Sequence, residues 1–174
     1  GGGINLATAW FSCGVSPDYF NICASATFSL RGIPSNELGY QNAKDGNGYG
    51  GVVTYNSGNG REYMSALLNQ TLSIGTKYYV SAYISRADSF PYNVASNKFG
   101  FRFSTVAFTY SSSLTDNFSH IRSNNIIYDS LGWTKISGSF VADSVYKYFI
   151  IGNFYDDLNT NVTNPSWLAY YYVD

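Results

Sequence analysis

His120 is the only histidine of the 174-residue chain, so any Ser-His-Asp site would have to be built on it. It sits in Phe118-Ser119-His120-Ile121, and no Gly-x-Ser-x-Gly elbow accompanies it. A structural histidine is the expectation. Glycoside hydrolysis needs two carboxylates facing each other across a cleft. Glu62, Asp18, Asp88, Asp156 and Asp157 are available, but Asp in turns mostly caps backbone N–H groups. No catalytic residue is expected, and the chain reads as a non-enzyme. Cys13 and Cys23 stand ten apart, and with one histidine they make a poor zinc set. A disulfide across the Pro17-Asp18-Tyr19 loop fits the spacing better. The alternative is two unpaired thiols acting as small hydrophobes.

What remains is binding. A sugar offers apolar C–H faces and many hydroxyls, so its sites pair aromatic rings with planar polar groups. Two regions have that mixture. Residues 10–48 carry Trp10, Asp18, Tyr19 and Tyr40, with Arg61 and Glu62 following at a strand start. A sheet face brings Tyr79, Tyr83 and Arg102 as a second possibility. For any single ring, core packing is the competing role.

The elements that would position these residues are strands. Aromatics make up 18% of the chain and charged residues 12%, about half the usual share of roughly 25%. Ser, Thr and Asn number 51, and Glu occurs only at 37 and 62. That composition excludes a helical bundle and favours an all-β, antiparallel β-sandwich of about eight strands in one domain spanning 1–174. Lys77 to Asp88 alternates most clearly, with Tyr78, Val80, Ala82 and Ile84 on one face and Tyr79, Ser81, Tyr83 and Ser85 on the other. Further strands are expected at 49–55, 61–72, 99–108, 124–129, 133–142, 146–154 and 168–173. Residues 10–48, 110–123 and 155–167 read as irregular, with no more than a short helical turn near 115–121. A net charge of −1 without any basic run argues against nucleic acid as a partner. No apolar stretch approaches the length of a spanning helix, so a membrane-embedded protein is not expected.

Several phrases resemble one family when taken in order: INLATAWFS (4–12), SPDYFNIC (16–23), GIPSNELGYQNAKDGNGYGGVVTY (32–55), REYMSALLNQTL (61–72), YYVSAYISRAD (78–88), WTKISGSFVA (133–142), YFIIGNFYDD (148–157) and AYYYVD (169–174). They resemble a jelly-roll domain of secreted, gliding-motility-associated or adhesin-like surface proteins of Bacteroidetes. The resemblance implies a galactose-binding-like sandwich similar to carbohydrate-binding modules. It implies glycan binding or adhesion in a secreted or cell-surface protein, with a glycan or a neighbouring subunit or domain as partner. The rival implication is a structural block of a surface fibre, completed by strand addition. Such modules often hold one structural calcium, for which Asp45 and Asp174 would be ligands. Asp129-Ser130-Leu131 and Asp143-Ser144-Val145 match the glycosylation pattern of that phylum, at Ser130 and Ser144. The family's usual first strand has no counterpart ahead of residue 4, so an incomplete sheet near the chain ends is expected.

Overall fold

The computed structural model describes residues 3–24, 30–108 and 114–174. Its strands are β1 (Trp10–Ser12), β2 (Asp18–Asn21), β3 (Ser35–Asn36), β4 (Gly39–Tyr40), β5 (Gly48–Tyr55), β6 (Met64–Leu67), β7 (Lys77–Arg86), β8 (Phe99–Ser104), β9 (Ile121–Arg122), β10 (Thr134–Val141), β11 (Tyr148–Asn153) and β12 (Ala169–Val173). Helix among the described residues is limited to 3-10 turns at Ile4–Leu6 and Asp157–Asn159. Sheet A has the order β10-β7-β12-β5-β2 and sheet B the order β1-β6-β11-β8-β9, with every pair antiparallel. The two sheets pack face to face as a β-sandwich of jelly-roll type. The short hairpin β3–β4 stands apart from both.

Alternation decides which side chains meet between the sheets. Val52, Ile84, Ile136, Tyr171 and Val173 come from sheet A, and Met64, Phe99, Phe101, Ile121 and Ile151 from sheet B. Phe103 of sheet B stacks on Phe140 of sheet A with centroids 4.5 Å apart. Tyr171 is fully buried yet satisfied: its hydroxyl donates to the Ile127 carbonyl at 2.6 Å and accepts the Ser96 N–H at 2.8 Å. A buried hydroxyl left without such partners would cost about 1–3 kcal/mol.

Each sheet also has a partly covered outer face. On sheet A, Leu38 and Ile33 from residues 30–43 lie over Phe20, Tyr49, Tyr170 and Tyr172. Tyr172 donates its hydroxyl to Asn36 Oδ1 at 2.9 Å, and Tyr49 donates to the Gln41 carbonyl at 2.9 Å. On sheet B, Leu114 and Phe108 lie over Tyr63, Ile150 and Phe154. Arg102 lies on that same outer face and pairs with Asp116 through two bonds of 2.6 and 2.8 Å.

Several expectations are corrected here. The stretch 10–48 holds four short strands, two to four residues each, too brief to show a period. Residues 124–129 form no strand, and the partner of β8 is Ile121–Arg122 instead. Of the two strands nearest the chain ends among the described residues, β12 lies at the centre of sheet A, paired on both sides, whereas β1 pairs only with β6 and forms an edge of sheet B. Cys13 and Cys23 are not bonded. The chain crosses from sheet B to sheet A between them, leaving Cys13 buried against Tyr63 and Ile150 and Cys23 exposed beyond β2. Burial pushes the Cys13 thiol up to about 12.

Candidate functional site

The part of sheet A that residues 30–43 leave open is a two-stranded face of β7 and β10. Strand geometry sends every second side chain outward. The register pairs Tyr79 with Ser139, Ser81 with Ser137 and Tyr83 with Lys135. The result is an open groove of about 370 Å³ over Tyr79, Ser81, Lys135, Ser137 and Ser139. The Tyr79 ring is 78% exposed, the most exposed aromatic among the described residues. Tyr83 is half-buried four residues along, roughly 13 Å away at strand rise. A wall closes that end: Gln41 donates to Ser85 Oγ and to the Gly132 carbonyl, and Trp133 Nε1 donates to the Asn42 carbonyl at 3.1 Å. The other end, at Lys77 and Val141, is exposed.

A second concavity opens between the sheets. It measures about 270 Å³ and is lined by Ile4, Trp10, Tyr19, Met64, Phe149 and Asp174, among others. β5 leaves it room because Gly48 and Gly50 carry no side chain there. A Cβ on Gly50 would stand 2.4 Å from Met64 Sδ, and one on Gly48 would stand 3.0 Å from the Tyr19 ring. Its walls are mainly hydrocarbon and ring, which suits an apolar guest better than a hydroxyl-rich one.

The residues expected to form a site in 10–48 are split by the fold. Trp10 and Tyr19 do meet, at that inter-sheet cavity, both half-buried; Trp10 packs on Phe149 with centroids 6.4 Å apart. Tyr40 is 55% exposed on the hairpin, where its amide donates to Asp88 Oδ1 at 3.0 Å. Asp18 faces the outer side of sheet A, 2.7 Å from Arg31 Nε and accepting the Tyr170 hydroxyl at 2.8 Å. Burial raises the Asp18 carboxyl above its ordinary value, with the Arg31 and Tyr170 bonds pulling the other way. Arg61 is buried, and its Nη2 donates to the Tyr155 carbonyl at 3.0 Å and to Asp157 Oδ1 at 2.9 Å. Glu62 is buried too, accepting the Val53 N–H at 2.9 Å. Arg61 and Glu62 therefore hold loops together rather than reach the solvent beside Tyr40.

Asp45 and Asp174 are brought together. Asp174 Oδ2 accepts the N–H groups of Lys44 at 2.7 Å and Asp45 at 3.2 Å, clamping the 44–48 turn to the end of β12. No third His, Cys, Asp or Glu joins them among the described residues, so a cation there would draw its other oxygens from carbonyls and water. Ser130 and Ser144 both lie half-buried in turns. His120 is half-buried: its Nδ1 accepts the Phe103 N–H at 3.2 Å and its Nε2 lies 3.0 Å from the Tyr146 hydroxyl. Burial lowers its pKa. Arg102 does not share a face with Tyr79 and Tyr83, since β8 belongs to the other sheet. The groove's Lys135, Ser137 and Ser139 were not singled out from sequence. The alternation of Thr134 to Val141 was visible, but the register that sets Lys135 opposite Tyr83 spans 52 positions.

Among the described residues no helix is long and apolar enough to cross a membrane, which leaves β-barrels unaddressed. No family model matches the chain, and no curated protein matches it. Solved structures do. The CBM22-1–GH10 modules of a Clostridium thermocellum endo-1,4-beta-D-xylanase, complexed with xylohexaose, align over 95% of this chain at 11% identity and TM-score 0.50. This chain spans only 25% of that one. The K1 cleaved adhesin domain of Lys-gingipain from Porphyromonas gingivalis aligns over 96% of this chain and 88% of its own, at 11% identity and TM-score 0.50. A CBM22-1 xylan-binding domain from Paenibacillus barcinonensis also aligns, at 12% identity and TM-score 0.47. At such identities the likeness is one of fold, and the fold is the all-β jelly-roll sandwich that a carbohydrate-binding module and an adhesin domain share.

Proposed function

We propose that the chain is a non-catalytic, secreted or cell-surface module that binds glycans in the groove over β7 and β10. One observation carries the reading. A Tyr ring 78% exposed stands on a rigid sheet beside a row of serine hydroxyls, with a second ring on the same face. Exposed rings on strands cost solvent contact and contribute nothing to the core, whereas they offer a sugar its stacking surface. Two fold neighbours, one complexed with xylohexaose and the other an adhesin domain, support the same reading. The test is calorimetric titration against a panel of oligosaccharides. Tyr79→Ala should weaken a binding sugar about fivefold or more, the loss of roughly 1 kcal/mol of ring contact, with the thermal midpoint unmoved. A panel without any binder, or a Tyr79→Ala protein that binds as the wild type does, would sink the reading.

A second reading, a structural block joined to a neighbour by strand pairing, has one observation in its favour. β10 is an eight-residue edge strand whose outer side has no partner strand among the described residues. Light scattering across a concentration series decides it: a chain that stays monomeric at high concentration leaves β10 without that role.

A further inference from the structure

The groove carries a charge pattern that its aromatic rings alone do not explain. Lys77 and Lys135 project from β7 and β10 on the same face as Tyr79 and Tyr83, and Lys44 reaches over from the 41–45 wall. Three of the five lysines of a chain with net charge −1 thus gather on one half-sheet. No ion pair reaches any of them among the described residues. The bordering carboxylates, Asp174 opposite Tyr83 among them, accept hydrogen bonds and form no ion pair with these lysines. Asp174 accepts two backbone N–H groups, Asp45 accepts the Gly46 N–H at 2.9 Å, and Asp143 accepts the Tyr146 hydroxyl.

Two of these ammonium groups lie against the rings. Lys44 Nζ is 4.9 Å from the Tyr83 centroid and Lys77 Nζ is 5.6 Å from the Tyr79 centroid, within cation–π range. That placement bears on which sugar can stack. A neutral ring must displace a lysine from the tyrosine face and return nothing to it. A sugar bearing an anion takes the tyrosine face while its substituent takes the displaced ammonium. The lysines also stand at both ends of the hydroxyl row: Lys77 at one, Lys44 and Lys135 at the other. Six residues of strand separate Lys77 from Tyr83, about 20 Å. A chain with repeated anions can meet both ends at once, and a single charged monosaccharide cannot.

Resting on the reading of the groove as a glycan site, we infer that its ligand is an anionic glycan, a sugar chain carrying repeated carboxylate or sulfate groups. Tyr79 and Tyr83 stack its rings, Ser81, Ser137 and Ser139 meet its hydroxyls, and Lys44, Lys77 and Lys135 meet its charges.

The experiment is a titration of the folded chain with four probes, polygalacturonate, dextran sulfate, unmodified dextran and a neutral xylo-oligosaccharide, at 50 and 500 mM NaCl. The expected result is binding of polygalacturonate or dextran sulfate that weakens at least tenfold at the higher salt, where screening shortens to a few ångströms. Which of the two binds tells carboxylate from sulfate. Lys135→Gln and Lys44→Gln should each lose roughly two- to fivefold, as exposed pairs do. Lys44→Gln/Lys77→Gln/Lys135→Gln together should lose tenfold or more, at an unchanged thermal midpoint. Tyr79→Ala should weaken binding at both salt concentrations. Three results would overturn the inference. Binding of the neutral xylo-oligosaccharide as tight as that of the anionic probes, indifferent to the lysines, would leave the groove a glycan site of another class. Anionic binding that Tyr79→Ala leaves intact would be charge attraction without a groove. Silence from every probe would remove the glycan site together with its charge preference.

Discussion

Replacing Glu62 with glutamine should make the protein more stable at pH 8 and flatter in its response to pH. Glu62 is 9% exposed, between β5 and β6, and its Oε2 accepts the Val53 N–H. That bond favours the charged form, but burial disfavours it more, and the Asp18 carboxylate adds repulsion. The net result moves the carboxyl from the ordinary 4.5 to about 7. The folded protein therefore keeps a proton through a pH range in which the unfolded chain has released it. Stability is then fully present below the unfolded value and declines as pH rises from 4.5 towards about 7, remaining low above it. At about 1.4 kcal/mol per pH unit, the interval is worth about 3 kcal/mol. Folded proteins hold about 5–15 kcal/mol in all, so the effect is large enough to measure. Glu62→Gln keeps a carbonyl for the Val53 N–H and never ionises. It should gain up to about 3 kcal/mol at pH 8 and little at pH 4. His120 acts with the opposite sign: burial keeps it neutral in the fold, so its contribution is lost as pH falls below 6.5. Comparing the two proteins at each pH cancels that background. The assay is urea unfolding at pH 4, 5.5, 7 and 8. A Glu62→Gln protein less stable than the wild type at pH 8 would refute the reasoning, because it would mean the buried carboxylate is a favourable ion.

Arg61→Met should cost roughly 1–3 kcal/mol in denaturant unfolding, because it removes the buried guanidinium from the Tyr155 carbonyl, which keeps the Thr160 hydroxyl, and from the partly exposed Asp157. A loss below about 1 kcal/mol would mean water replaces the guanidinium freely. Gly51→Ala would set a Cβ 2.3 Å from the Tyr170 hydroxyl oxygen, on a buried ring anchored to Asp18. Its expected cost is about 1–3 kcal/mol in the same assay, and a neutral result would show that ring able to move. Thiol titration should count one reactive cysteine in the native protein, Cys23, and two after unfolding without reductant. Counting none in the unfolded chain would restore the disulfide.

The legible parts of the fold are those where one period runs long enough to be read. Lys77 to Arg86 alternates over ten residues, and two of its outward set, Tyr79 and Ser81, line the groove, with Tyr83 further along the same face. β1 to β4 escaped because two to four residues carry no period, and the pairing partners that make them strands lie elsewhere in the chain. Tyr170, Tyr171 and Tyr172 show a different limit. A strand in mid-sheet with both faces covered loses its alternation, and all three rings are buried. That the cover over Tyr170 and Tyr172 comes from residues 30–43 is long-range information. For the same reason Asp18 looked free in sequence and is spoken for in the fold. Arg102 has the right alternation and the wrong sheet.

The central place of β12 bears on how the chain can be made. Ala169–Val173 divides sheet A into two ribbons, β10-β7 on one side and β5-β2 on the other. Two-stranded ribbons are marginal alone in water. During synthesis the facing edges of β5 and β7 lack their β12 partner until Ala169–Val173 has emerged, although both were translated some eighty residues or more before it. Half of the sandwich is thus assembled in one late step, by insertion of a strand rather than by zipping from a hairpin. Such a chain spends its synthesis with open strand edges, the state most prone to pairing with other copies. A nascent chain stalled short of residue 169 should bind holdase chaperones and resist compaction, and emergence of Ala169–Val173 should bring cooperative folding at once.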